Sequence, residues 1–392
     1  MKAYSIFIVG MYGIPSHIIR FVRNLKQTNP SVSITLFSDR KKDVFQKEIG
    51  DYLDKYIQCE KYTGWPKRLW KFRRLFDQIA FERQLRNMTK ENTYDIVNIH
   101  YPTSRLYNVM KYFRKMSRTV VVSPWGSDVL RVSDKEKKRL RQVFKNSDYI
   151  TVGSGGIFGK VLCQEMRIGK EKFHPLAWGS ETIDYINEHL SEISVEQAKE
   201  LLGLSGKYVI TCGYNAFEEQ RHEIIVNAIN NKRRQLPDNM ILLFPLTYGS
   251  SYGNKKQQHV DKVKSLCEEL SLPTKFYENY LSVSELFLLR RATDMFIHIQ
   301  PTDGGNSSLQ EYVLCGAKIV HGSWIKYNNL EQYKPLFYYP VNDLDELGDV
   351  IVDAYRSESI RIPEQVMEFI RNRGWKAKMM LWDDFFVSCL KS

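Results

Sequence analysis

The feature that most constrains the fold of this chain is an alternation of short apolar runs with longer amphipathic stretches, made twice over. Five runs precede residue 155: YSIFIVG, SITLFS, DIVNIHY, RTVVVSPW and SDYITVG. Five more follow residue 206: KYVITCGY, NMILLFPLTYG, TKFYEN, TDMFIHIQ and AKIVHGS. Near-continuous apolar strands interleaved with helices are what parallel sheets covered on both faces require. Two such series predict an α/β protein of two Rossmann-like, doubly wound domains facing a central cleft. Between them runs WGSETIDYINEHLSEISVEQAKELLGLSGK, polar and helical in character, with a helix expected from Glu196 to Leu202 and stopped at Gly203. The expected division is residues 1–185, residues 186–372, and a basic, aromatic helix over 373–392 covering apolar surface on its own domain or back on the first.

Composition agrees with two packed cores. The chain has 392 residues, 43% hydrophobic and 13% aromatic, which excludes disorder as the default. No stretch approaches the roughly 18 consecutive apolar residues of a spanning helix, and the opening MKAYSIFIVGMYG reads as a first strand, not an export signal. A cytoplasmic location is expected. Six scattered cysteines, without metal-ligand spacing, read as buried thiols and not as disulfides or a zinc site. A net charge of +12 favours a polyanionic partner: nucleic acid, an anionic membrane face or a phosphorylated substrate.

In open α/β sheets ligands sit outside the carboxyl ends of the strands, so strand ends supply the candidates. In IVGMYGIPSHIIRF, Gly13 and His17 follow the first strand and would face a ligand, or would simply make the turn into a helix. VVVSPWGSDVLR runs a buried strand into Trp125, Gly126, Ser127 and Asp128; the alternative is that Ser127 or Asp128 only caps the next helix. His100 ends another strand, as a polar site residue or a satisfied structural histidine. After KYVITCGYN, Asn215 and Arg221 stand before a helix, where a basic side chain plus amide donors would hold a diphosphate; Arg221 as a solvated surface residue competes.

QPTDGGNSSLQEYVLCGAKIV is the most informative segment. Ser307 with Gln310, or Ser308 with Glu311, would make a capping box, and Gly316 would close the helix. Capping alone leaves Asp303 before the double glycine unexplained. The amides of Gly305, Asn306 and Ser307 would form an anion site, with Ser308 beside it, while a carboxylate nearby accepts from sugar or ribose hydroxyls. A nucleotide sugar offers both groups.

The span Asp303 to Glu311 resembles the acidic pair of the retaining GT-B glycosyltransferases, the class of glycogen synthase and the phosphatidylinositol mannosyltransferases. SPWGSDVLR resembles the first-domain signature of that class, CGYNAFEEQRHEIIVNAI its donor-phosphate loop, and LAWGSETIDYI the close of its first domain. LLFPLTYGSSYGN and GGNSSLQEYVLCGAKIV are also similar to the acetamido-dideoxygalactose transferases acting on polyprenyl-diphosphate-linked sugars. The resemblance implies transfer from a nucleotide sugar, with retention and without a metal or other cofactor, in bacterial cell-surface glycan synthesis. It implies Asp303 beside the transferred sugar and Glu311 on the ribose; Asp128 and His100, from their strand ends, are the catalytic candidates on the acceptor side. Three departures stand out: the first acid is Asp where Glu is usual, Gly213-Tyr214 replaces Gly-Arg, and Gln220-Arg221 replaces Lys-Gly.

KYTGWPKRLWKFRRLFDQIAF carries Lys61, Lys67, Arg68, Lys71, Arg73 and Arg74 without an acid before Asp77, with Trp65, Leu69, Phe72 and Phe76 on one helical stripe. This is the pattern of an interfacial helix on anionic lipid, with Trp65, Lys67, Arg68, Trp70, Lys71 and Arg74 as contacts, and equally of a helix packed on its own domain. No nucleic-acid module is recognisable, which ranks RNA below both. The expected protein is a glycosyltransferase peripheral to the inner membrane face, acting on a glycan or polyprenyl-diphosphate-linked acceptor; a non-catalytic nucleotide-sugar or polyanion binder and an epimerase are the alternatives.

Overall fold

The computed structural model describes residues 2–11, 15–60, 72–152, 156–250, 254–303, 307–325, 336–357 and 362–391. The chain divides into two units, Met1–Trp178 with Lys376–Ser392, and Gly179–Trp375.

The first unit holds six parallel strands: β1 (Ser5–Val9), β2 (Ser33–Ser38), β3 (Lys55–Gln58), β4 (Ile96–His100), β5 (Thr119–Ser123) and β6 (Tyr149–Ile150), in the order β3-β2-β1-β4-β5-β6. β1, β4 and β5 are buried almost end to end, which is why they read as unbroken apolar runs. The helix Pro15–Thr28 starts on a proline, tolerated in a first turn where its missing N–H has no partner anyway, and buries Ile18, Ile19, Phe21, Val22 and Leu25. The chain returns to this unit at its end. In the helix Trp375–Cys389, Trp382 donates from Nε1 to the Ala177 carbonyl at 3.0 Å, and Asp383 accepts from Tyr4 Oη at 2.8 Å and Asn29 Nδ2 at 2.9 Å.

The second unit repeats the plan with β7 (Tyr208–Cys212), β8 (Met240–Pro245), β9 (Thr274–Tyr277), β10 (Met295–His298), β11 (Lys318–Gly322) and β12 (Tyr338–Val341). Its order, read from the other edge, is β9-β8-β7-β10-β11-β12, the same 3-2-1-4-5-6 arrangement. Chain order therefore reverses between β1 and β4 in one sheet and between β7 and β10 in the other. These are the two points where an open α/β sheet parts its loops for a ligand.

All ten sequence-predicted strands are present. The two not predicted, β3 and β12, are edge strands: β3 is only half-buried and lacks a continuous apolar run, and β12 carries Pro340, which an edge tolerates because one row of amides needs no partner. The connector helix spans Val195–Leu201, opened by a reciprocal Ser194–Gln197 capping box and followed by Gly203 at φ 67°.

Candidate functional site

In the second unit β7 ends at Cys212, and Gly213 turns the chain at φ 63°. A side chain there would be strained, and its Cβ would lie 2.8 Å from Gln220 Oε1 and 2.9 Å from His222 Nε2. The loop that follows is tied to the loop after β10. Asn215 Oδ1 accepts from the Phe217 amide at 2.9 Å, which fixes the turn, and its Nδ2 donates to Tyr248 Oη at 3.4 Å. Buried Gln220 accepts from the Tyr214 amide at 3.3 Å and donates to Gln300 Oε1 at 2.8 Å. Arg221, in the left-handed region at φ 59°, immediately precedes the helix His222–Asn231. Its guanidinium donates to the Ile299 carbonyl at 3.2 Å and lies over Trp324 at 5.6 Å. A fork held at a helix amino terminus by one of its five donors keeps the others for a ligand such as a diphosphate.

The two acids of QPTDGGNSSLQEYVLCGAKIV have different surroundings. Asp303, its side chain 7% exposed, places Oδ2 3.4 Å from His298 Nε2 at the end of β10. Glu311 lies on the helix Ser307–Leu314, with an exposed Ser307 and a half-buried Ser308 ahead of it. Its carboxylate takes Arg290 Nε at 3.3 Å on one oxygen and Ser180 Oγ at 2.9 Å on the other. Arg290 also donates to Tyr312 Oη at 2.8 Å and stacks over that ring at 4.4 Å. Glu311 thus turns away from its own helix start, and the Ser308–Glu311 capping box is not formed. A carboxylate this buried needs a cation, and Arg290 supplies it. Gly305 and Asn306 lie outside the described residues.

In the first unit the acceptor-side candidates do gather at the carboxyl ends of β4 and β5. His17 stands edge-on to Trp125 at 4.9 Å. His100, 1% exposed, is ringed by Phe21 at 4.6 Å, Trp178 at 5.2 Å, Trp125 at 6.3 Å and Trp382 at 6.4 Å. Neither of its ring nitrogens has a hydrogen-bond partner among the described residues, and burial pulls its basicity down to about 3. His17 is drawn down to about 4, mainly by burial and then by Arg20. Both are neutral near pH 7.

Asp128 accepts from the Trp125 amide at 3.0 Å and the Gly126 amide at 2.7 Å, holding Gly126 at φ 136°, and Ser127 Oγ meets Tyr101 Oη at 3.0 Å. Burial pushes the Asp128 carboxyl up to about 7 against the opposing pull of those amides. These contacts are those of a turn-holding carboxylate, close to the capping alternative the sequence left open. Gly13, Trp65, Lys67, Arg68, Trp70 and Lys71 lie outside the described residues; Arg74 falls on the helix Arg73–Met88, and its side chain is not among those described.

Sequence reasoning missed Arg290, Ser180, Gln300, Trp324, His298 and His321, and the aromatic wall of Phe21, Trp178 and Trp382. One signal was present: His298 and His321 occupy matched positions in FIHIQ and IVHGS, registered partners once β10 and β11 are aligned. Among the described residues no group of three or more His, Cys, Asp or Glu side chains is placed to hold a metal ion, and no helix is long and apolar enough to cross a membrane.

Residues 15–184 match the family model described as glycosyl transferase 4-like. No curated protein sequence matches the chain. Among solved structures, the chain is similar to Anabaena HepE in complex with UDP and glucose, at TM-score 0.70 and 14% identity over 98% of this chain and 100% of that one. A glycosyltransferase from Rickettsia africae matches at TM-score 0.69 and 13% identity over 100% of both chains. Sucrose-phosphate synthase from Thermosynechococcus elongatus matches at TM-score 0.70 and 10% identity over 99% of both.

Proposed function

We propose that this chain, a glycosyltransferase of GT-B fold with a glycosyl transferase 4-like region at residues 15–184, moves a sugar from a nucleoside-diphosphate donor bound by its second unit to a lipid-linked or polysaccharide-precursor acceptor, with retention. The observation that carries the donor site is the reversal point between β7 and β10, where Arg221 at a helix amino terminus and Asp303 stand at the ends of adjacent strands. Arg221 would neutralise the diphosphate as it leaves, the main electrostatic term in a transfer that needs no metal. Asp303 would lie beside the sugar, and Glu311 on the ribose side.

On the acceptor side, His100 is a buried neutral imidazole with two nitrogens to offer a hydroxyl, walled by aromatics that suit a sugar face. Asp128 would serve it by holding the Trp125–Gly126 turn. The UDP found with HepE makes UDP-sugars the first donors to try. For a membrane-held acceptor the support is an exposed apolar stripe, Phe72, Leu75 and Ile79, adjoining the basic segment at 61–74.

The test is transfer by the purified chain from UDP-, GDP- and dTDP-sugars to polyprenyl-diphosphate-linked acceptors in anionic vesicles, with the anomeric configuration of the product read by NMR. The proposal expects acceptor-dependent release of nucleoside diphosphate that Asp303→Asn abolishes while nucleotide still binds. Release of an altered sugar without acceptor would make the chain an epimerase, and binding without any turnover would make it a binding protein.

A further inference from the structure

Three strand-end loops of the second unit meet on one indole that the reaction as described does not use. Trp324 follows β11, and its Nε1 donates to the Gln300 carbonyl at 2.8 Å, which ties the loop after β11 to the loop after β10. Gln300 carries the tie onward: its Oε1 accepts from Gln220 Nε2 at 2.8 Å and from Tyr214 Oη at 3.4 Å, both in the loop after β7. The sequence leaves room for the indole. A Cβ on Gly322, the last residue of β11, would come within 2.3 Å of Trp324 Cζ2, so any larger residue there would displace the ring.

Arg221 is held against this indole from both ends. Its backbone is fixed at the helix start: the amide donates to the Glu218 carbonyl at 3.0 Å, and its own carbonyl accepts from the Ile224 and Ile225 amides at 3.0 and 3.1 Å. The φ of 59°, which a residue with a β-carbon adopts at a cost, sets the direction in which the stem leaves. At the far end the guanidinium donates to the Ile299 carbonyl at 3.2 Å and lies over the Trp324 ring at 5.6 Å. An arginine with a free stem loses rotamer freedom when it grips a ligand; one already held in place loses little, and the difference appears as affinity.

We propose that Trp324 is a positioning residue: its ring holds the Arg221 guanidinium ready for the second phosphate of a nucleoside diphosphate, and so sets the preference of the second unit for a diphosphate over a monophosphate. The proposal rests on the reading of Arg221 as the diphosphate ligand given above. An indole suits this task. The negative face of its ring attracts the guanidinium without neutralising it, whereas a carboxylate in the same place would take the donors of the fork and repel the phosphate. Its single donor is committed to Gln300, so the ring is fixed while its face stays against Arg221.

Calorimetric titration of the full chain with UDP and UMP, GDP and GMP, and dTDP and dTMP, at one salt concentration, tests it. The readout is the ratio of monophosphate Kd to diphosphate Kd, which general damage to the fold does not move. Arg221→Ala should lower the ratio about ten- to a hundredfold, the worth of charged hydrogen bonds to a phosphate. Trp324→Leu should lower it about two- to fivefold, as loss of a cation–π contact does. Trp324→Phe gives up the tie to Gln300 but keeps a ring, so it should retain most of the ratio. Gly322→Ala, which displaces the indole without removing it, should act in the direction of Trp324→Leu. Adding Trp324→Leu to Arg221→Ala should lower the ratio no further, because the indole acts through the guanidinium. A wild-type ratio in Trp324→Leu would overturn the proposal, whatever the absolute affinities, and so would a ratio in Trp324→Phe as low as in Trp324→Leu; either result beside a lowered ratio in Arg221→Ala would leave the donor site standing. A ratio untouched by Arg221→Ala, or no binding of any of the three diphosphates, would discard the donor reading and the proposal together.

Discussion

Replacing Arg290 with methionine is the sharpest perturbation of the second unit. The substitution keeps a long apolar stem and removes one charge from a pair whose side chains are 3% and 4% exposed, separated by 3.3 Å. At that distance and an effective dielectric constant of about 20, the lost attraction is about 5 kcal/mol. Arg290→Met also forfeits the bond to Tyr312 Oη and the stacking over its ring. The Ser180 hydroxyl still solvates one Glu311 oxygen, which offsets part of the loss. The net expectation is about 3 to 5 kcal/mol, the usual cost of orphaning one member of a buried ion pair. For a unit of about 200 residues this is a fall of about 10 °C in its melting transition. Scanning calorimetry of Arg290→Met, Glu311→Leu and the double variant reads it, with the double variant expected to lose less than Arg290→Met alone. A loss under about 1 kcal/mol in Arg290→Met would mean that Glu311 is solvated, and would refute the assignment of its carboxylate to Arg290.

Acid should weaken the second unit before the first. His222 is fully buried and drawn down to about 3, so the unfolded chain binds its proton from about pH 6.5 downward while the folded chain does not, and stability falls by up to about 1.4 kcal/mol per pH unit across that window. In the first unit His100 and His17 act in the same sense, but Asp128, pushed up to about 7, binds its proton in the folded state first and gains stability as pH falls, which offsets one of the two and leaves one net proton against those of His222, His298 and His321 in the second. Urea unfolding of each unit's transition between about pH 4 and about pH 7 measures the difference, and equal slopes in both would contradict it. Gly213→Ala should cost about 1 to 3 kcal/mol by thermal or urea unfolding, from a left-handed backbone plus the crowding of Gln220 and His222, and should weaken nucleotide binding; a neutral variant would mean the β7 turn is not held as described.

Much of this architecture was legible because buried parallel strands cannot hide. β1, β4, β5, β7 and β10 bury both faces and so write unbroken apolar runs, whereas β3 stands half-buried at an edge and writes none, and Pro340 obscures the strand signal of β12. Asp303 and Glu311 were legible as a pair of acids flanking a glycine turn. What each one touches was not. Glu311 meets Arg290, 21 residues back, and Ser180, 131 residues back, and only tertiary packing brings those positions together. The wall around His100 likewise draws Phe21, Trp178 and Trp382 from three distant segments, including a terminal helix whose target the sequence left open. Asp128 stood at a strand end that suits catalysis and caps alike, and the difference lies in two amide bonds that residue type does not encode.

Hydrogen–deuterium exchange of the intact chain, with and without UDP, GDP or dTDP, tests the placement of the donor most directly. The account predicts that at least one of these slows exchange in the peptides spanning Cys212–His222 and His298–Glu311, and that Arg221→Ala removes the effect. Protection confined to the ends of β1 and β4, or protection unchanged in Arg221→Ala, would contradict a donor site at the β7–β10 reversal.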